Sequence, residues 1–138
     1  MSSINTGDFD FVTGAQSEFE TELQNIGFVK PSGPGLATRG WIHPDLKLGF
    51  EVVGVSLLDG MADLERVRFI DFAEDGQIAV ICVEDLIADR MGQFASGTAQ
   101  DMLDQARALY TLHPDTDPDY LDRRIQEETG GSYGLKDI

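Results

Sequence analysis

Asp8-Phe9-Asp10-Phe11-Val12 alternates acids with large apolar residues. Along an extended strand, side chains two apart share a face, so Asp8 and Asp10 present parallel carboxylates while Phe9 and Phe11 turn to the other side. Two close carboxylates repel. That is tolerable when both are solvated at a strand end. It becomes useful when a hard divalent cation sits between them, because Mg²⁺ prefers oxygen ligands, commonly one or two carboxylates plus substrate phosphates. A third acid, Glu51, interrupts the apolar run Leu48-Gly49-Phe50-Glu51-Val52-Val53-Gly54. Alternation puts Phe50 and Val52 on one face and Gly49, Glu51 and Val53 on the other. If the two strands are neighbours, Glu51 lines the same face as the aspartate pair; otherwise it faces solvent on a half-exposed sheet. The residues alone leave both readings open, because a D-x-D triplet arises readily by chance in a chain with 25 Asp and Glu.

The elements that must position these acids follow from periodicity. Asp8 to Val12 alternates as a strand, and Phe19, Leu23 and Ile26 then recur at helical spacing before Gly27, which predicts a helix from Ala15 to Ile26. Arg39 to Ile42 and Leu48 to Val53 read as strands joined across His43-Pro44-Asp45-Leu46-Lys47, a segment with good turn residues. Arg66 to Phe72 and Gln77 to Val83 flank Ala73-Glu74-Asp75-Gly76, whose Asp-Gly pair signals a hairpin. Near residue 83 the period changes from 2 to 3.6. Val83, Leu86, Ile87, Met91 and Phe94 share one helical face that stops near Gly97, and Thr98 with Asp101 resembles a capping box for the next helix. Met102, Leu103, Ala106, Leu109 and Tyr110 form the stripe of that helix, and His113-Pro114-Asp115 its exit. Asp117-Pro118 opens a third helix that ends at Gly130-Gly131; its apolar face, mainly Leu121 and Ile125, is thin enough to place it at the edge of the fold. The expectation is one α+β domain over 1–138. Residues 1–83 form a mixed, largely antiparallel sheet with its helix, and 84–130 form a helical tail.

Composition narrows the function. With 25 acidic against 10 basic residues the formal charge is -15, and the basic residues are not clustered. Such a surface repels phosphate backbones and anionic membranes, so generic nucleic-acid binding is not expected. No apolar run approaches the roughly 20 residues needed to cross a bilayer, and the first residues show no signal-peptide pattern, which makes the expected location cytoplasmic. Cys82, the only cysteine, lies in an apolar run and reads as a core residue; Trp41, the only tryptophan, reads the same way. Lys30, Arg39 and Lys47 are the basic residues between the D-x-D strand and Glu51, and each either offsets phosphate charge or is simply solvated. Arg90 either reaches a cleft or pairs with Glu84, Asp85 or Asp89. Pro31-Ser32-Gly33-Pro34-Gly35 is a turn or a loop over a ligand.

Thr6-Gly7-Asp8-Phe9-Asp10-Phe11-Val12 resembles the T-x-D-(I/F)-D-(F/L)-V strand of the nucleotidyltransferase superfamily, whose catalytic domain is shared with DNA polymerase β. Val83-Glu84-Asp85-Leu86-Ile87-Ala88-Asp89-Arg90-Met91, followed by Gln100-Asp101-Met102-Leu103-Asp104 and Leu109, is similar to the helices after the sheet in small bacterial members. The resemblance implies a sheet of the nucleotidyltransferase type. It also implies that Asp8, Asp10 and a third acid, with Glu51 the candidate, bind Mg²⁺ or Mn²⁺ and carry transfer of a nucleotidyl group from a nucleoside triphosphate to a hydroxyl. Lys30, Arg39, Lys47 and Arg90 are the candidates to contact the phosphates. Two departures bear on activity. The family's hG(G/S) helix precedes the D-x-D strand and holds the triphosphate, whereas only seven residues stand before Asp8, without a G-G or G-S pair; the third acid is usually Asp. Weak or lost catalysis is therefore expected. The alternative is a non-catalytic interaction protein of the same fold, such as one component of a toxin and antitoxin pair, binding a basic protein partner. An uncovered sheet or cleft also favours a homodimer, against the repulsion of two copies at -15.

Overall fold

The computed structural model describes residues 8–31 and 40–138. The chain is α+β, as expected, with a C-terminal group of helices. It divides into two compact units that part between residues 61 and 62, whereas the change from strand to helix falls at Val83. The strands form two small sheets, one in each unit.

In the first unit, β1 (Asp8–Val12) leads through α1 (Gln16–Asn25) to β2 (Trp41–His43) and β3 (Leu48–Gly54). The strand order is β1-β3-β2: β3 is central, parallel to β1 and antiparallel to β2. A parallel pair cannot be closed by a tight turn, and the intervening α1 and β2 supply the long connection that it needs. The α1 helix ends at Gly27, whose φ of +101° is a left-handed value that glycine adopts without a Cβ penalty. Gly27 N–H donates to Gln24 O and Phe28 N–H to Leu23 O, the two bonds of a Schellman end, and they bring Phe28 back onto Leu23. Leu23, Phe28 and Trp41 are buried, with Phe19, Leu48 and Phe50 packed around them. Phe50 is the hub: its ring centroid lies 4.8 Å from Phe11, 4.7 Å from Phe28 and 5.5 Å from Phe9. His43 closes the β2–β3 turn, its Nδ1 accepting Leu46 N–H while Nε2 bonds Ile26 O. An acceptor at Nδ1 requires the neutral ring to carry its proton on Nε2, which then donates.

The second unit begins with a hairpin of β4 (Arg68–Asp71) and β5 (Gln77–Val80) and continues into α2 (Val83–Ala95), α3 (Met102–Leu112) and α4 (Pro118–Glu128). As the sequence predicts, Asp117 caps α4, accepting Tyr120 N–H at 3.1 Å with Pro118 at the first helical position. The chain departs from expectation at α3. Thr98 does not cap it; the helix starts at Met102, and the Thr98 hydroxyl is engaged with Ser96 Oγ at 2.8 Å. The larger correction concerns α4, which is central and not peripheral. Leu121 and Ile125 are fully buried with Ile87, Ala88, Met91 and Ala106. The stripe looked thin because two of its members, Tyr120 and Arg124, are amphipathic and bury their bodies while their polar ends are bonded. Cys82 and Trp41 are buried, as expected. Among the described residues no helix is long and apolar enough to cross a membrane.

Close approach of α2 and α4 depends on Gly92. A Cβ there would lie 3.2 Å from Glu128 Cβ and 3.3 Å from its carbonyl oxygen. Gly92→Ala gains helix propensity worth about 1 kcal/mol, but overpacking against a backbone atom costs about 1–3 kcal/mol. Urea denaturation is expected to show net destabilisation of roughly 1 kcal/mol, the reverse of the usual Gly-to-Ala effect in a helix.

Candidate functional site

The parallel register of β1 on β3 decides where the acids stand. Asp8 is opposite Gly49 and Asp10 is opposite Glu51. Paired residues of neighbouring strands project to the same side, so Asp8, Asp10 and Glu51 share one face while Phe9, Phe11, Phe50 and Val52 take the other. The aromatic face is held by the core, and burying Phe50, Phe28 and Trp41 fixes the orientation of every carboxylate, since a slip of one residue would turn them inward. Neighbouring strands lie about 4.8 Å apart and residues two apart on a strand about 6.6 Å, so Asp10 is flanked at short range by both other acids. Asp8 and Asp10 are exposed and Glu51 half-buried, with Val53 and Ile42 exposed on the same side. Solvation keeps the mutual repulsion small.

Small residues surround the acids. Extending the β2–β3 register by one residue sets Gly40 beside Glu51, and a Cβ on Gly40 would touch Glu51 Cβ at 3.8 Å. One row across the face therefore runs Gly40, Glu51, Asp10 and the next Ile42, Gly49, Asp8. Gly40 therefore puts no side chain beside Glu51. Hard oxygen donors suit Mg²⁺ or Mn²⁺ in chemistry. As the side chains stand, however, no group of three His, Cys, Asp or Glu among the described residues is placed to hold an ion.

Of the basic candidates, Lys30 is seated on the other side of the sheet. Lys30 Nζ lies 5.7 Å from the centroid of Trp41, a ring on the aromatic side of the sheet. The carboxyl of Glu20 is held below its usual range mainly by the Gln16 amide, against some burial, with the Trp41 indole and Lys30 adding to the effect. Lys47 is exposed in the β2–β3 turn at φ 57°. Arg90, in the other unit, pairs with Asp89 at 2.8 Å. Arg39 and most of the Pro31 to Gly35 segment lie outside the described residues.

A polar cluster in the helical unit escaped the sequence reading. Asp85 is completely buried, with Oδ1 accepting from Arg124 Nε at 2.7 Å and from Tyr120 OH at 2.8 Å, and Oδ2 accepting from Asp63 N–H at 3.1 Å. Arg124 is also buried, and its terminal nitrogens reach Glu127 at 2.8 Å and Glu128 at 2.7 Å. Beside it, Glu84 accepts Asp117 N–H, and Arg66 bonds Asp117 with its guanidinium 3.8 Å from the centroid of Tyr120. The available signal was positional: Glu84 and Asp85 fall on the stripe that continues through Ala88 and Met91, where an acid requires a buried partner. Burial by itself raises the Asp85 pKa, but Arg124, the Asp63 amide, the Tyr120 hydroxyl and Cys82 together bring it below the ordinary range. Burial, then the bond to Asp85, raises Tyr120, and burial pushes the Cys82 thiol up to about 11, leaving it protonated and inert at neutral pH. Asp85, Arg124, Glu84 and Tyr120 are buried with their polar ends bonded, so the cluster ties α2 to α4.

Compared with protein-family models, curated proteins and solved structures, the chain finds no match.

Because the folded Asp85 carboxyl sits below its unfolded value, its contribution to stability is complete above the unfolded pKa of about 4 and is lost as pH falls through the folded value. Asp85→Asn leaves Arg124 buried with one partner fewer and is expected to cost about 3 kcal/mol at pH 7. Urea midpoints measured from pH 7 to pH 3 should fall less steeply in this variant than in the unaltered chain.

Proposed function

We propose that this chain is a nucleotidyltransferase-type protein. In this reading Asp8, Asp10 and Glu51 hold Mg²⁺ or Mn²⁺ with a nucleoside triphosphate, for transfer of the nucleotidyl group to a hydroxyl. The observation that carries the proposal is the parallel register that sets Glu51 directly across from Asp10, with Asp8 on the same face. Three carboxylates from two adjacent strands would supply the hard oxygen ligands, with Asp10 between the other two. The divalent ion supplies Lewis acidity and charge neutralisation at the phosphate. The protein's own share is orientation. The aromatic core locks the strand register, Gly40 puts no side chain beside Glu51, and the exposed carboxylates of Asp8 and Asp10 admit an acceptor. Three acids on one face repel a free anion, so the face favours a phosphate that arrives already complexed with a cation.

Paramagnetic Mn²⁺ titrated into ¹⁵N-labelled protein provides the test. Amide signals of residues 8–12 and 49–53 are expected to broaden first, and Asp10→Asn combined with Glu51→Gln is expected to remove the effect while the helix signals stay in place. ATP or another triphosphate should bind at least about tenfold more tightly with Mg²⁺ than with EDTA. Broadening centred elsewhere, or unchanged in the double variant, defeats the proposal.

A further inference from the structure

The β4–β5 hairpin is exposed on both sides along its whole length. Phe69 is 67% exposed, and Ile70 and Phe72 each 49%. Among the described residues the strands pair only with each other, and no helix packs on them to any appreciable extent. An isolated two-stranded hairpin is marginal in water, so a further strand on its edge would stabilise this one.

The ladder identifies the open groups. Phe72 N–H donates to Gly76 O, so residues 72 and 76 form a hydrogen-bonded pair. Bonded and non-bonded pairs alternate in an antiparallel ladder, which makes Ile70/Ile78 and Arg68/Val80 the next bonded pairs. The N–H and C=O groups of Gln77 and Ala79 therefore point away from β4, along the free edge of β5. That edge has an apolar flank, since Ile70, Ile78 and Val80 share one face. The charges are one-sided. From Phe69 to Asp89 the chain has no Lys or Arg, while Asp71, Glu74 and Asp75 crowd the turn. Arg68, opposite Val80, lies on the same face as Ile70 and Ile78, at the end of the hairpin away from the acidic turn.

We propose that the free edge of β5 docks an extended strand of another protein in which lysine or arginine alternates with apolar residues. The edge bonds of Gln77 and Ala79 supply the ladder, the Ile70–Ile78–Val80 face takes the apolar side chains, and the acids of the turn attract the basic ones. A second copy of this chain is disfavoured as the occupant, because each carries a charge of -15.

The test uses the full chain with two synthetic acetylated octapeptides, one alternating lysine and valine, the other glutamate and valine. The lysine peptide is expected to slow amide exchange at Gln77 and Ala79, and the glutamate peptide to leave it unchanged. Ala79→Pro removes an outward N–H without touching a bond to β4, a place where an edge strand accepts proline, and should weaken the lysine peptide by roughly tenfold or more. Ile70→Lys with Ile78→Lys keeps the edge amides and should also abolish binding, which covers the case of a proline variant that fails to fold. Equal binding to both variants means general charge attraction and overturns the proposal. Slow exchange of Gln77 and Ala79 in the free chain, or protection that grows with protein concentration alone, overturns it as well.

Discussion

The buried carboxylate of Asp85 is the constraint around which the helical unit is arranged. A charge with no solvent access must be bonded on every side, and here its four partners come from three places: Arg124 and Tyr120 on α4, the Asp63 backbone before the hairpin, and Cys82 at the start of α2. Each partner fixes a rotation or an offset. Arg124 sets α4 against α2 in the one orientation that also buries Leu121 and Ile125, and Asp63 brings the incoming segment to the N-terminal end of α2. Asp85 itself stands in the first turn of α2, where the helix dipole favours an anion. Ion pairs of this kind add little to stability compared with an apolar replacement, but breaking one is expensive, so the network's effect is to exclude other packings.

The sheet unit is organised by a different economy. Its interior is a small aromatic group on one side of three strands, and the acids on the other side are what a half-buried sheet leaves over. A single set of contacts therefore does two things, since packing Phe50 against Phe11 and Phe28 also aims Asp8, Asp10 and Glu51 outward together. The carboxylate face needs no structure of its own. It inherits its geometry from the opposite face through the pleat. In the helical unit the reverse holds, and charged groups are drawn into the core and made part of it.

Much of this was legible in the residues alone. Alternation in Asp8–Val12 and Leu48–Gly54, the Asp-Gly hairpin, the Asp117-Pro118 cap and the shift of period at Val83 are local signals, each set by a few adjacent residues and the backbone geometry they favour. The common face of Asp8 and Asp10 follows from the two-residue period by the same logic. Glu51 could be assigned only conditionally. Whether it joins the pair depends on which strands are neighbours and in what register, and that is decided by long-range packing of aromatic residues well apart in sequence.

Local pattern also misjudged α4. Hydrophobic periodicity counts Tyr and Arg as weakly apolar or polar, and so it placed at the edge a helix whose interior face is half made of amphipathic side chains with buried, bonded ends. The sequence by itself determined the α+β class, the elements and the pairing of acids two residues apart, because these depend on neighbours along the chain. Only the tertiary structure decided that β3 lies parallel beside β1, that Asp85 meets Arg124, and that Lys30 lies on the aromatic side of the sheet and not with the acids. Those outcomes turn on which distant side chains fill the same volume or satisfy the same buried charge.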